Sequence, residues 1–493
     1  MLAKVFRLWF GDLRSRLRRR SEDATGIVND IQSQLNATRV ARIVRPRSIA
    51  EIQDTVRAAA REGQTISVCG GRHAQGGQQF GTGALLLDLT SFNKVVHLDL
   101  EGHVVDVQAG IEWPDLVANL HRAQRGAAQQ WSIRQKQTGV DRVSLAGSLS
   151  ANAHGRGLRF QSIVGDVDSF ILVDPEGNLR TCSRHENPEL FGLVIGGYGL
   201  FGIIAQVRLR LVPRQKVERL VKLIEVRDLM PWIEKRVQEG FLYGDCQYSI
   251  EPVSDSLTHS AVFSCYRPVS DSTPIPRHQK SLSQREWFEI FYLAHKDKSK
   301  AFDYYQKHYL SSNGQIYWSD THQMSGFVNN YHELLDKHLG AKHKGSEVIL
   351  EMYVPPDELL AFLLEAREDV RRHNINLFYG TIRFLEKDDV SFLAVAPERT
   401  VCVLCNVHVD HTEEGIRKAS DDYRRLIDRA LQHKGRYFLT YTRWPTREQL
   451  EAAFPQFPDF LRLKKKYDPQ ERFQSDWYNH YKNLFANEAV AQA

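Results

Sequence analysis

Cysteine and methionine are scarce, six and four residues in a chain of 493. Six cysteines spread over this length do not make the dense framework of a disulfide-stapled secreted domain, and they fit a reducing, cytoplasmic setting better. No run of eighteen apolar residues occurs, so the sequence predicts no transmembrane helix. Internal repeats and low-complexity tracts are also lacking. Charge of one sign is missing from most of the chain. The formal net charge is +5, but residues 1–20 hold seven basic residues against Asp12, so the other 473 residues carry −1. A near-neutral body excludes an extended basic face and with it a nucleic-acid partner. What remains is ordinary globular composition, 42% hydrophobic and 25% charged, at a length of roughly two to four domains.

The basic excess sits on a patterned segment. Leu2, Val5, Phe6, Trp9, Phe10, Leu13 and Leu17 recur at helical steps, with arginines on the other face. Such a helix lies in a membrane surface, or docks on protein; both readings stand. The opening does not read as a signal peptide, because Lys4 and Arg7 break any apolar stretch and no small-residue cleavage site follows.

Beyond it, Arg42-Ile43-Val44 reads as a short strand stopped by Pro46. Ser48 and Glu51 read as a helix-capping pair, with Ile52, Val56, Ala59 and Ala60 as the apolar stripe and Gly63 as the stop. Thr65–Cys69 predicts a strand, followed by the glycine-rich loop GGRHAQGGQQFGTG and the apolar strand Ala84–Asp88. Strand–helix alternation continues to about Pro213 and predicts a mixed α/β unit. From about residue 216 the strands alternate polar and apolar residues, as in Glu351–Val354 and Thr381–Phe384. That period predicts an antiparallel sheet with one face open to solvent or a cavity, with helices near 356–373 and 412–433.

Two motifs invite over-reading. Gly197-x-Gly199-x-x-Gly202 has the form of a dinucleotide fingerprint, but a helical stretch precedes it and a strand follows, the reverse of what that fold requires. Cys402-x-x-Cys405-x-x-His408-x-x-His411 has metal-binding residue types, but its alternation marks a strand. Cys402 and Cys405 then point to opposite faces and share no metal, so no metal site is assigned. The strand leaves Asn406, His408 and Asp410 on a polar face.

Gly70–Gly77 directly after a strand suits a pyrophosphate, because glycines let backbone N–H groups converge on an anion; a plain connection is the alternative. A second segment, SLAGSLSANAHG over 144–155, offers small residues against which a flat ligand can lie. These two blocks, with GGYGLFGIIAQVRLRLVP over 196–213, resemble the FAD-binding domain of the vanillyl-alcohol oxidase superfamily, the PCMH type. Within it the sequence is most similar to the sugar-alcohol and aldonolactone oxidases, with cytokinin dehydrogenases and sterol-type reductases as cousins. The resemblance implies an α+β chain: a two-part FAD-binding domain over 36–215, an antiparallel-sheet substrate cap over 216–455, and a C-terminal segment over 456–493 in which KYDPQERF returns to the flavin. Residues 1–25 stand apart as the basic helix.

The same resemblance assigns the site. Gly70, Gly71, Arg72, His73, Ala74 and Gln75 would hold the pyrophosphate. Ser144, Gly147, Ser148, Asn152, His154 and Gly155 would line pyrophosphate and isoalloxazine, and Gly202 and Ile204 the adenine end. His73 falls where many members bond the flavin 8α-methyl group; the alternative is a loop histidine beside non-covalent FAD. The family's usual glycine and serine or threonine around that histidine are Arg72 and Ala74 here, and Arg72 would then replace a lost hydroxyl with charge. His154 reads equally as a histidine bracing a turn. Arg383, followed by Asp388-Asp389, resembles the substrate arginine of the sugar-alcohol oxidases, and His408 is the candidate base, with a hydrogen-bonded sheet histidine as its alternative. Glu351, Tyr353 and Gln247 are further polar candidates. The catalytic lysine of those oxidases has no counterpart; the corresponding stretch reads Phe438–Trp444.

The expected activity is hydride transfer from a CH–OH group of a small-molecule alcohol, sugar or lipid alcohol to flavin N5, with oxygen or another acceptor reoxidising the flavin. The competing readings are a membrane-associated flavin reductase or dehydrogenase of an isoprenoid, sterol or lipid-linked sugar, and a binding protein with a flavin fold and no chemistry.

Overall fold

In the computed structural model the described residues are 21–251 without Asp23, 260–324 and 331–486. The basic stretch 1–20 lies outside them. Among the described residues no helix is long and apolar enough to cross a membrane.

The first sheet is small and parallel. Leu85–Asp88 lies between Arg42–Val44 and Ile66–Cys69. Leu85, Leu86 and Leu87 are fully buried, as the strand of a sheet covered on both faces requires, at about 1.5–3 kcal/mol of transfer free energy each. The helix Ile49–Arg61 makes the crossover, and Ser48 Oγ accepts from the Glu51 N–H as its cap. The Glu51 carboxylate reaches one residue further back than expected, to the Arg47 N–H.

A second sheet of five antiparallel strands follows, in the order Leu179–Ser183, Val167–Val173, Ile203–Arg210, Val104–Gln108, Val95–Asp99. The run Gly196–Gly202 joins the helix Pro188–Val194 to the strand Ile203–Arg210, the inverted order read from the sequence. Gly202 has φ +148°, and a Cβ there would stand 2.8 Å from the Val173 carbonyl.

The third sheet is antiparallel with eight strands: Ile316–Trp318, Lys216–Glu225, Ser260–Val269, Tyr243–Tyr248, Leu377–Leu385, Thr400–Asp410, Gly345–Val354 and Arg436–Tyr437. The helices Leu359–Arg372 and Glu413–Gln432 cover one face, where Phe362, Leu363 and Leu426 meet Met352, Val403 and Cys405. Glu351 and Arg383 look the other way, into a cleft. The polar half of the alternation thus faces a cavity, and Gly345–Val354 is buried at nearly every position. Cys402 and Cys405 do point to opposite faces: Cys402 lies near Glu351 and His154, and Cys405 under the helices. All six cysteines are buried and free.

The C-terminal segment closes the molecule against the first sheet. Phe473 bridges Ile66 in parallel fashion, with the Ile66 N–H donating to Arg472 O and the Gln474 N–H to Ile66 O. A buried ion pair fixes that turn. Lys464 Nζ donates to Asp468, both side chains fully buried, and Asp468 also accepts from the N–H groups of Arg472 and Phe473 at 2.8 Å. Removing one partner of a buried pair leaves an uncompensated charge. Lys464→Met is expected to lower unfolding stability by about 3–5 kcal/mol, read from urea titration; an unchanged midpoint would show that the turn holds without the pair.

Candidate active site

A cleft runs between the first two sheets and the third. The loop after Ile66–Cys69 forms one end. Gly70 and Gly71 lie against Arg142–Ser144 so closely that a Cβ on Gly70 would stand 2.1 Å from Ser144 Oγ, and one on Gly71 2.5 Å from Arg142 O. Gly70, Gly71, Arg72, His73 and Ala74 line the cleft.

Two members of that loop do other work than expected. Arg72 sits at φ +61°, the conformation for which glycine is favoured, and its guanidinium is bound to Glu22 at 2.5 Å and Asp88 at 3.3 Å. Its charge is therefore compensated within the protein and does not replace the hydroxyl missing at Ala74. Burial pushes the neighbouring Cys69 thiol up to about 12. Gln75 is outside the cleft lining; its Oε1 accepts from the Ile349 N–H at 2.9 Å and ties the loop to the third sheet.

The small-residue run forms the floor. Ser144 caps the helix Leu145–Ala151, its Oγ accepting from the Gly147 N–H, and Ser144, Gly147 and Ser148 line the cleft. Ser148 Oγ donates to Gln137 Oε1 at 3.1 Å. Asn152 and Gly155 do not reach the cleft. Asn152 ends the helix at φ +50° and donates to Asp388 at 2.7 Å and Ser391 at 2.9 Å. Gly155 accepts from His154 and packs so tightly that a Cβ would lie 2.8 Å from Lys136 O. Gly202 and Ile204 line the cleft.

At the sheet-facing side the cleft is polar. Glu351 Oε1 accepts from the Tyr441 hydroxyl at 2.8 Å, and Oε2 from the Tyr353 hydroxyl at 2.5 Å and from His154 Nε2 at 3.2 Å. Burial pushes this carboxyl up, but the charge and hydrogen bond of His154, with Arg383 and Tyr353, outweigh it and hold it down to about 2. The stabilisation is therefore present above the ordinary 4.5 and lost as pH falls from there towards 2. Both His154 nitrogens face acceptors, Nδ1 the Gly155 carbonyl at 3.2 Å and Nε2 the carboxylate. His154 thus braces the turn through Gly155 and meets Glu351 while lining the cleft.

Arg383 lines the cleft; His408 does not. His408 lies at the far end of the third sheet, with Nδ1 3.1 Å from Glu347. Gln247 is likewise outside the lining, whereas Phe438, Thr440 and Tyr441 enter it from the stretch where a lysine was sought. Tyr441 meets Glu351 ninety residues away, a contact with no local signal.

The cleft fits FAD on its own chemistry. Its long walls are apolar, from Val68, Leu89, Val140, Val143, Ile203 and Ile349, and Gly70 and Gly71 let the loop pack directly on Arg142–Ser144 at its end. Among the described residues, Gln79 Oε1, Thr138 Oγ1 and Arg383 Nε are buried on this lining without a hydrogen-bond partner. These groups would receive the polar edges of a flavin lying between apolar walls.

Comparison with known proteins agrees. Residues 40–183 match the FAD binding domain family. Over 182 residues, 37% of this chain and 40% of the relative, the chain is 33% identical to an uncharacterized oxidoreductase of the fasciation locus of Rhodococcoides fascians. It is 23% identical to L-gulono-1,4-lactone dehydrogenase of Mycobacterium tuberculosis over 446 residues, 88% of this chain and 94% of that one. With cytokinin dehydrogenase 6 of Oryza sativa subsp. japonica it shares 29% identity over 46% of the chain and 45% of the relative. The chain carries an FAD-binding domain of the PCMH type, and its relatives include aldonolactone oxidases and dehydrogenases and cytokinin dehydrogenases.

Gly70→Ala is expected to abolish FAD retention, measured as the ratio of flavin to protein absorbance after gel filtration. Gly70→Ala/Ser144→Gly, which removes the colliding side chain, is expected to restore part of it. Full retention by the single variant would mean that FAD does not use this approach.

Proposed function

We propose that the protein is an FAD-dependent oxidoreductase that takes hydride from a CH–OH group of a small sugar-derived or lactone-type substrate. In this reading residues 36–215 hold the cofactor, the eight-stranded sheet is the substrate cap, and the C-terminal segment closes on the cofactor unit. The observation that carries it is the meeting of the Gly70–Ala74 loop, the Ser144–Ser148 floor, Arg383 and the Glu351 network on one cleft. The near full-length similarity to a protein named L-gulono-1,4-lactone dehydrogenase favours this donor class over the cytokinin class, whose match covers less of the chain.

When bound, FAD supplies the hydride acceptor. The chain's own groups orient the donor and manage its proton. Arg383 offers Nε, a buried donor without a hydrogen-bond partner among the described residues, to the substrate oxygen and lowers the energy of negative charge developing there. An alcohol under oxidation becomes strongly acidic at its hydroxyl. The Tyr441 hydroxyl, which lines the cleft, takes that proton while passing its own to Glu351 Oε1, so one proton enters the pair and one moves on. Glu351 is a weak base, which restrains it from taking a proton from the resting alcohol. His154 keeps the carboxylate charged and in place. His73, on the cleft lining, is the residue we assign to the flavin linkage.

The test is anaerobic bleaching of the protein's flavin with a panel of aldonolactones, polyols, long-chain alcohols and a secondary-amine donor. Lactones or polyols are expected to bleach it, and Arg383→Ala to slow that reduction roughly 10²–10³-fold with FAD still bound. Bleaching by the amine alone would replace the CH–OH assignment. Acid precipitation is expected to leave flavin on the wild type and to release it from His73→Ala; complete release from the wild type would remove the linkage.

A further inference from the structure

The far end of the cap sheet holds a second cluster that the flavin site does not use. Glu347 stands four residues before Glu351 on the same strand and face, about 13 Å along it. Its carboxylate is fully buried and histidines surround it from three elements. His408 Nδ1, from the strand Thr400–Asp410, is 3.1 Å from Oε1. His295 Nε2, from the helix Gln284–Lys296, is 3.6 Å from the same oxygen. His332 Nδ1, from the helix His332–Leu339, is 3.0 Å from Oε2, which the Tyr331 hydroxyl also contacts.

Hydrogen bonding does not account for all of this. His295 Nε2 is buried, has no hydrogen-bond partner among the described residues, and points at an oxygen beyond hydrogen-bonding range. The spacing fits a metal ion instead. With bonds of roughly 2.0–2.1 Å, neighbouring ligand atoms of a tetrahedral zinc site lie about 3.3 Å apart. The two separations to Oε1, 3.1 and 3.6 Å, bracket that edge, and the three ligand atoms all lie within 4.8 Å of one another.

We infer that His295 Nε2, Glu347 Oε1 and His408 Nδ1 form a binding site for a divalent transition-metal cation of the zinc class, separate from the flavin cleft. Three ligands from a helix and two adjacent strands clamp that helix to the sheet and leave a fourth position to water. The supporting contacts have the form expected of an outer shell. Tyr331 and His332 hold the second carboxylate oxygen, Asp410 lies 3.6 Å from the other nitrogen of His408, and Gly345 backs the His408 ring, where a Cβ would come within 2.5 Å. The comparable trio His154, Glu351 and Cys402 is a poorer candidate. Both oxygens of Glu351 are already engaged, and burial keeps the Cys402 thiol protonated.

The experiment uses the full chain with its FAD, incubated with zinc or cobalt, freed of loose metal by gel filtration, and assayed for metal per chain and per flavin. One equivalent is expected, with the visible d–d bands of four-coordinate cobalt. His295→Ala and Glu347→Gln should each lose it while retaining FAD, which reports the fold. His332→Ala should keep one equivalent with affinity lowered roughly 10–100-fold. A wild-type chain that retains well below one equivalent overturns the site, whatever the variants do. So does a His295→Ala protein that keeps both its FAD and a full equivalent of metal.

Discussion

A buried carboxylate ties the two sides of the cleft together. Glu351 projects from Gly345–Val354, the strand beside the edge strand Arg436–Tyr437, and takes hydrogen bonds from Tyr353 of the same strand, Tyr441 of a distant loop and His154 of the opposite wall. An isolated charge in this position would cost many kcal/mol. Here the charge is matched by His154 and approached by Arg383, so the same contacts that make it tolerable fix the sheet against the floor of the cleft. Gln75, which accepts from the Ile349 N–H, and Gln78, which donates to Leu439 O, add neutral ties along the same seam.

The seam explains how the sheet is patterned. A polar and apolar alternation ordinarily belongs to a sheet with one wet face. In this sheet the apolar face lies under two helices and the polar face is enclosed, with the carboxylates of Glu351 and Glu347 paired, so that the strand Gly345–Val354 is almost wholly buried. Two buried charged clusters lie along that enclosed face: Glu351 and Arg383 on the cleft, and Glu347 with its histidines further along. Neither group is tolerable without partners, and the partners come from elements far apart in sequence.

Local structure was legible where it depends on neighbours in the chain. The Ser48 cap, the glycine loop after Ile66–Cys69, the inverted order around Gly197–Gly202 and the opposite faces of Cys402 and Cys405 all follow from spacing. The glycine loop and the small-residue run that line the cleft were legible too, because close backbone approach demands glycine and serine in a recognisable order. Long-range pairing was not. Arg72 looked available to a phosphate, yet Asp88 and Glu22 claim it, and nothing near residue 72 announces either. His408 was legible as a polar-face residue, but its position along the strand places it with Glu347 and outside the cleft lining. Tyr441 carried no signal, since a tyrosine in a loop acquires meaning only from the carboxylate it meets.

Whether one cleft seats the flavin against the Glu351–Arg383 face is decided by a crystal structure of the protein with its bound FAD. The pyrophosphate is expected on Gly70–Ala74 and the isoalloxazine between the Ser144–Ser148 floor and the side chains of Glu351, Tyr441 and Arg383. A flavin ring seated away from Glu351 and Arg383, or a pyrophosphate held by any other loop, would contradict that placement.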